Sequence, residues 1–334
     1  MVIIESYPTA VILCLVTMIC WGSWANTMKI TSKNWFFQLY YWDYSIGVLL
    51  FSVLLAFTLG SHGKVGRPFG ADISQSDAQN LLYAFLAGAI FNLSNVLLVT
   101  VIDIAGMAIA FPIGVGLALV LGVISGYISK PMGNPRVLFG GLICIVVAII
   151  LDGMAYSKIP SDKNKSVTKG IILSICTGVF MGFFYPLLIR SIAPVLTQPE
   201  AGKLTPYTAI FVFSVGLFSS SFLWNYFLMR RPVTGPTLSF SDYFTKGTRK
   251  DHWVGMLGGG IWCLGFSLMT LSADKAGTAI SYGLGQGATM IAVIWGVLVW
   301  KEFKLAPKSV NPMLMLMFLL YLTGLSLIIV AKQY

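Results

Sequence analysis

Charge is scarce in this sequence. Asp, Glu, Lys and Arg together make up 10% of its 334 residues, against 57% hydrophobic ones, which excludes a soluble domain with an ordinary polar surface. Histidine is nearly absent, with His62 and His252 alone, and the five cysteines all fall inside apolar stretches without metal-ligand spacing. No metal site is therefore expected, and the cysteines read as small packing residues. HExxH, GxSxG and the P-loop are missing as well, which removes the common hydrolase and nucleotide chemistries and any expectation of an enzyme or a cofactor. Acidic residues number 12 against 22 basic ones, a net charge of +10. The Lys and Arg residues cluster in short connections between apolar stretches, where they set orientation in a membrane, so no nucleic-acid partner is expected.

Long apolar runs are what the chain has instead, with a mean hydropathy of +0.82. A hydrocarbon core of about 30 Å needs roughly 20 helical residues per crossing. Ten stretches qualify: 9–28, 37–59, 78–101, 105–128, 136–156, 170–190, 207–229, 253–272, 276–300 and 312–331. Membrane strands would alternate over about ten residues, so the class is an all-α, multi-pass membrane protein embedded in a lipid bilayer. Glu5 and the lack of Lys or Arg ahead of the first stretch predict a retained helix rather than a cleaved signal.

The chain repeats itself. Adding 171 to Gly88–Gly116 lands on Gly259–Gly287 without a gap, and 11 of the 29 aligned pairs are identical. The Asp-x-Ala-Gly turn (Asp103 to Gly106, Asp274 to Gly277) and the following Gly-x-Gly (Gly114 and Gly116, Gly285 and Gly287) carry the weight. The predicted architecture is a five-helix repeat over 1–156, a basic linker at 157–169, and a second five-helix repeat over 170–334. Five is odd, so the copies lie inverted, an arrangement that places a solute site near the midplane between them. Pro112 with Gly114 and Gly116, and Gly285 with Gly287, are candidate helix breaks or hinges.

Polar residues inside spans mark candidate function, because lipid makes them costly. Asp43, two turns into an apolar segment and more clearly enclosed than any other acid by this reading, is the leading proton-coupling or solute-anchoring candidate. Bonding to nearby tyrosines at the headgroup level, or pairing with Lys29 or Lys33, is the alternative. Asn92 and Asn95 share a helical face and serve either as helix glue or as a recognition surface. Tyr282, Gln286 and Thr289 fall on one face at i, i+4 and i+7, for solute or for helix–helix bonding. Trp21, Trp24 and Trp262 offer flat surfaces, although Trp24 also suits a membrane interface, and Asn26 is a further candidate contact. The fifth span offers little chemistry, and His252 stands alone with no metal partner in reach.

Lys and Arg total 14 in the connections after odd-numbered spans and 8 in the remainder. The positive-inside rule then predicts both termini outside and the linker in the cytoplasm, in an inner (plasma) membrane.

YYWDYSIGVLLFSVLLAFTLG around Tyr44, AGAIFNLSNV, RPVTGPTLSFSDY and IWGVLVWKEF resemble the ureide permease group of the drug/metabolite transporter superfamily, related to the glucose/ribose and rhamnose porters. The resemblance runs from about residue 5 to 331 and departs from the plant members in its short central linker. It implies proton-coupled uptake of a small neutral polar solute, whether a ureide, a nucleobase or nucleoside, or a sugar, by alternating access. Drug or metabolite efflux is the alternative within the superfamily, and a membrane enzyme or scaffold fits the mid-span amides poorly. A monomer or a homodimer is compatible with the sequence.

Overall fold

In the computed structural model, which describes residues 1–159, 167–232 and 235–333, ten apolar helices long enough to cross a membrane are found among the described residues. In chain order they are α1 (Tyr7–Lys29), α2 (Phe37–Phe57), α3 (Ala78–Ile102), α4 (Ala110–Ser129), α5 (Pro135–Ser157), α6 (Thr168–Ser191), α7 (Pro206–Arg230), α8 (Arg249–Ala276), α9 (Thr278–Val299) and α10 (Val310–Val330). Each overlaps its predicted stretch, because span length is dictated by bilayer thickness and a run of apolar residues reports it directly. Most of the expected linker, residues 160–166, lies outside the described residues, as does the side chain of Asp103. Successive helices reverse direction, so both termini share one face, here the terminal face, and α5 ends on the far face.

The packing is reciprocal. α2 lies on α8 and α3 on α7; α3 lies on α6 and α8 on α1; α4 meets α6 and α9 meets α1. Each pair becomes its partner pair when five is added to one helix number and subtracted from the other. α5 with α10, α2 with α7 and α4 with α9 map onto themselves. Glycines make the crossings close enough. A Cβ on Gly259 would strike the Tyr44 carbonyl and one on Gly47 the Met256 backbone, and in the other half Gly88 meets Phe213 and Gly216 meets Phe85 in the same way. Without a hydrophobic drive between helices in lipid, such backbone approach is a main source of association.

The duplicated corner is duplicated in geometry. Gly106 has φ 82° and ψ 168°, and Gly277 has φ 90° and ψ 147°, a region open essentially to glycine alone. Beyond the corner the copies differ. Around Pro112, residues Ala110–Val115 form a π-helical turn whose i to i+5 pattern absorbs the missing proline donor without breaking the helix. In the second copy α9 is interrupted: Thr278–Gly285 ends at a turn through Gln286 and Gly287, and Ala288–Ile294 follows on a new register.

Candidate functional site

α8 runs from the far face to the terminal face, and His252, Gly255, Gly259, Trp262, Phe266, Thr270 and Ala273 recur on it every three or four residues. They form one helical stripe, and apart from His252 all are buried. The rest of the site is arranged along this stripe.

At its middle is an aromatic layer. Trp21 of α1 stacks on Trp262 with ring centroids 5.9 Å apart and planes 7° from parallel, and its indole N–H donates to the Trp262 carbonyl at 3.2 Å. Phe213 lies near-parallel to Trp262 on another side, at 6.1 Å, while Phe91 and Phe266 close the layer at 4.6 and 5.0 Å. Trp21 occupies its place because α8 and α9 present glycines to it: a Cβ on Gly265 would lie 2.9 Å from its ring, and one on Gly285, just before the α9 break, 3.3 Å. Two hydroxyls flank the layer. Tyr44, 4.8 Å from Trp24, lies toward the far face, and Tyr185, stacked on Tyr282 at 5.4 Å, toward the terminal face. Both are fully buried and make no hydrogen bond among the described residues. Gln286, at the turn that ends the first segment of α9, is 8% exposed.

At the far end the stripe reaches Asp43, which is 1% exposed. Tyr243 donates its phenol proton to Asp43 Oδ1 at 2.5 Å, and His252 Nδ1 lies 2.9 Å from Oδ1 and 3.2 Å from Oδ2. Trp35 packs edge-on to the imidazole at 4.7 Å, and Gly255 leaves the room that the Asp43 side chain fills. Tyr243 comes from a short helix outside the spans, Phe240–Thr245. Ser239 caps it through a reciprocal box in which the Ser239 N–H, then Lys246, hold the Asp242 carboxyl down to about 2. Burial and the adjacent Asp43 push the Tyr243 phenol up, so it remains a donor. At the other end the stripe opens into a cleft of about 250 Å³ between α4, α6, α8 and α9, lined by Ser129, Lys130, Thr270, Asp274 and Thr278 among others.

Several predicted residues lie near this axis in other roles. Asn92 and Asn95 meet Tyr41: its hydroxyl donates to Asn92 Oδ1 at 2.8 Å and accepts from Asn95 Nδ2 at 3.1 Å. The Asn92 amide nitrogen is spent on Leu217 O, Ser220 and Ser221 of α7, which makes Asn92 a tie between α2, α3 and α7. Tyr282 donates to the Met181 carbonyl at 3.1 Å. Asn26 stands at the far rim, its carbonyl accepting from the Trp300 indole at 2.5 Å and its N–H groups turned to the backbone of its own helix. Thr289 leaves the expected face because the turn at Gln286 and Gly287 resets the helical register, and its hydroxyl bonds Tyr321 of α10.

The sequence reading missed four groups. His252 was expected alone and partners Asp43 across 209 residues; Tyr243 arrives from a loop; Tyr185 looked like any span aromatic. Asp152 is the fourth. It is fully buried in α5, the span expected to offer little chemistry, and neither carboxylate oxygen has a hydrogen-bond partner among the described residues. Asp43 is therefore not the most enclosed acid. Spacing alone could have linked His252 to Trp262 through the stripe.

Ten apolar helices packed reciprocally about a buried axis, with a polar cluster at one end and a cleft at the other, define a multi-pass membrane protein. A family model described as ureide permease matches residues 40–169 and 161–331. The chain belongs to the ureide permease family, and it is a transporter rather than an enzyme. It is 21% identical to Ureide permease 1 of Arabidopsis thaliana, with all of both chains aligned. It is 24% identical to Ureide permease 3 of the same plant over 84% of this chain and 89% of the relative. The Putative sugar uptake protein YxfA of Lactococcus lactis subsp. lactis (strain IL1403) is 23% identical over 86% of this chain and 99% of the relative.

Proposed function

We propose that this chain is a secondary active transporter for the uptake of a small, neutral, polar solute, a ureide, nucleobase or nucleoside, or a sugar, coupled to protons through Asp43. The observation that carries this reading is the α8 stripe, which joins the terminal-face cleft, the aromatic layer and the Asp43 cluster in one line. Flat faces on Trp21 and Trp262 suit a ring, the unpaired hydroxyls of Tyr44 and Tyr185 flank them, and Gln286 at the α9 turn is a further neutral hydrogen-bonding group. No charged side chain enters the layer among the described residues, so a phosphate would find no counter-charge there. The names of the relatives support ureides and sugars alike.

Transport then follows alternating access. The repeats, 1–156 and 170–334, rock about the layer, and the hinge candidates Pro112, Gly114, Gly116, Gly285 and Gly287 take up the strain in α4 and α9. Asp43 with His252 and Tyr243 forms the far gate, where His252, 25% exposed, gives the carboxylate a route to the bulk. Both termini face outward in this reading, in a bacterial-type inner or plasma membrane, and the cleft is the outward one.

Uptake of labelled allantoin, uracil and ribose into proteoliposomes, with and without an inward proton gradient, tests the assignment. In Asp43→Asn, solute exchange persists and gradient-driven accumulation is lost. Accumulation equal to that of the unchanged protein would discard Asp43 as the coupling group.

A further inference from the structure

Asp152 presents a problem that the Asp43 cluster does not. Asp43 has a phenol and an imidazole on its carboxylate, whereas Asp152, fully buried, has neither oxygen bonded among the described residues. A bare carboxylate in such surroundings would cost many kcal/mol, and a buried acid escapes that cost by pairing or by taking up a proton.

The surrounding groups decide between the two. Asp152 lies on the stripe Leu142, Ile145, Ile149, Asp152 and Tyr156 of α5, which is buried throughout and packs on α10 and on the π-helical turn of α4. From α5 itself the facing titratable group is Tyr156, whose hydroxyl is already donated to Glu302 Oε2 at 3.0 Å. From α10 it is Tyr321, engaged with Thr289 of α9. From the segment after α9 it is Glu302, which is paired with Lys29 of α1. The π-helical turn presents Phe111, 6.0 Å from the Tyr156 ring. Among the described residues the facing hydroxyls of Tyr156 and Tyr321 are thus engaged elsewhere, and the charged group in range of Asp152 is a second carboxylate, Glu302. Among the described residues no cluster of ligands suits a metal ion either.

We infer that Asp152 is a second proton-binding site, occupied as a neutral carboxylic acid in this conformation, and that its proton holds the far face shut. Glu302 ties the end of α9 to α1 through Lys29 and to α5 through Tyr156. A negative charge on Asp152 repels Glu302, which undoes that tie. A proton on Asp152 leaves it intact. The carboxyl is sealed, so its proton exchanges with solvent only once the helix ends part. Asp43, with a partly exposed imidazole beside it, exchanges without that step. The two sites therefore act on one face through different elements, Asp43 on the α2–α8 seam and Asp152 on the α1–α5–α9 seam.

Infrared spectroscopy of the purified protein in lipid tests this without any solute. At neutral pH the C=O stretch of a protonated carboxyl is expected in the unchanged protein, kept in Asp43→Asn and lost in Asp152→Asn. Asp152→Glu, which retains the acid, should move the band without abolishing it, and so covers the case in which the amide variant does not fold. Absence of the band from the unchanged protein, or its persistence in Asp152→Asn, overturns the inference. Exchange of labelled allantoin, uracil or ribose adds a second arm. Asp152→Asn, a permanent mimic of the protonated form, should lose exchange at least tenfold relative to the unchanged protein; full exchange in Asp152→Asn removes the gating role. If none of the three solutes is transported, the proposed solute class fails while the infrared result stands.

Discussion

Tyr185 shows how a single atom separates a structural role from a recognition role. Its ring is fully buried against Tyr282 and Phe266, yet its hydroxyl makes no hydrogen bond among the described residues, the Thr270 and Ser281 hydroxyls being donated to carbonyls of their own helices. A buried hydroxyl left unpaired is a cost to the folded state, and replacing it by hydrogen removes that cost. Tyr185→Phe is therefore expected to leave thermal stability unchanged or slightly raised while weakening solute binding about fivefold, the equivalent of about 1 kcal/mol for one neutral hydrogen bond. Calorimetric titration and thermal melts on the same preparation check both halves. A destabilised variant that binds normally would show the hydroxyl to be structural. Individual residues were unevenly legible. An acid such as Asp43 stands out against an apolar background, but its partners His252 and Tyr243 lie about 200 residues away, and no local pattern announces a pairing at that distance. Asp152 lay near a span end, where headgroup contact is available to an acid; only the packing of α10 and the α4 turn seals it.

Elements were read most accurately where one constraint dominates. Bilayer thickness fixes span length, so the ten helices matched, and a gapless repeat with a shared Asp-x-Ala-Gly fixed the corners. The corner glycine is required by conformation: at φ 90° and ψ 147°, Gly277 leads α8 into α9 with no helical residue between them. Gly277→Ala should destabilise the protein by about 1–3 kcal/mol, the usual cost of forcing a side chain into this region. Space is tight as well, since the new Cβ would sit 3.0 Å from that of Met132. The partner substitution Gly106→Ala carries the same conformational cost, and denaturation of both in mild detergent measures it; two unaffected variants would mean that the corners relax freely. The interior of the repeat was harder to read, because Gly-x-Gly permits several irregularities and does not choose between them. In α4 proline selects a π-helical turn, and in α9 Gln286 and Gly287 select a true interruption. That interruption is what turned Thr289 toward Tyr321 and away from the face it shares with Tyr282 in an unbroken helix.

At the scale of the whole molecule the two faces are unequal, although the helices that form them are related by the repeat. The terminal face has a cleft reaching Thr270 and Ala273, while at the far face Asp43 is bonded to His252 and Tyr243, and Lys29 pairs with Glu302. If the halves exchange conformations during transport, the cleft must reappear on the far face at the positions the repeat assigns. Subtracting 171 carries Ala273 to Ile102 and Thr278 to Met107, at the far-face end of α3 and just ahead of α4. A cysteine at Ala273 should accordingly react with a membrane-impermeant maleimide in the resting protein, and one at Ile102 should not. Under conditions that open the far face the order should reverse, with Ile102→Cys gaining reactivity as Ala273→Cys loses it. Run on intact cells, the same pair also tests orientation, since outward termini require Ala273→Cys to be labelled from outside and Ile102→Cys only in inverted vesicles. Simultaneous labelling at both positions would describe a pore, and invariant labelling at either would mean that the closed face is not the counterpart of the open one.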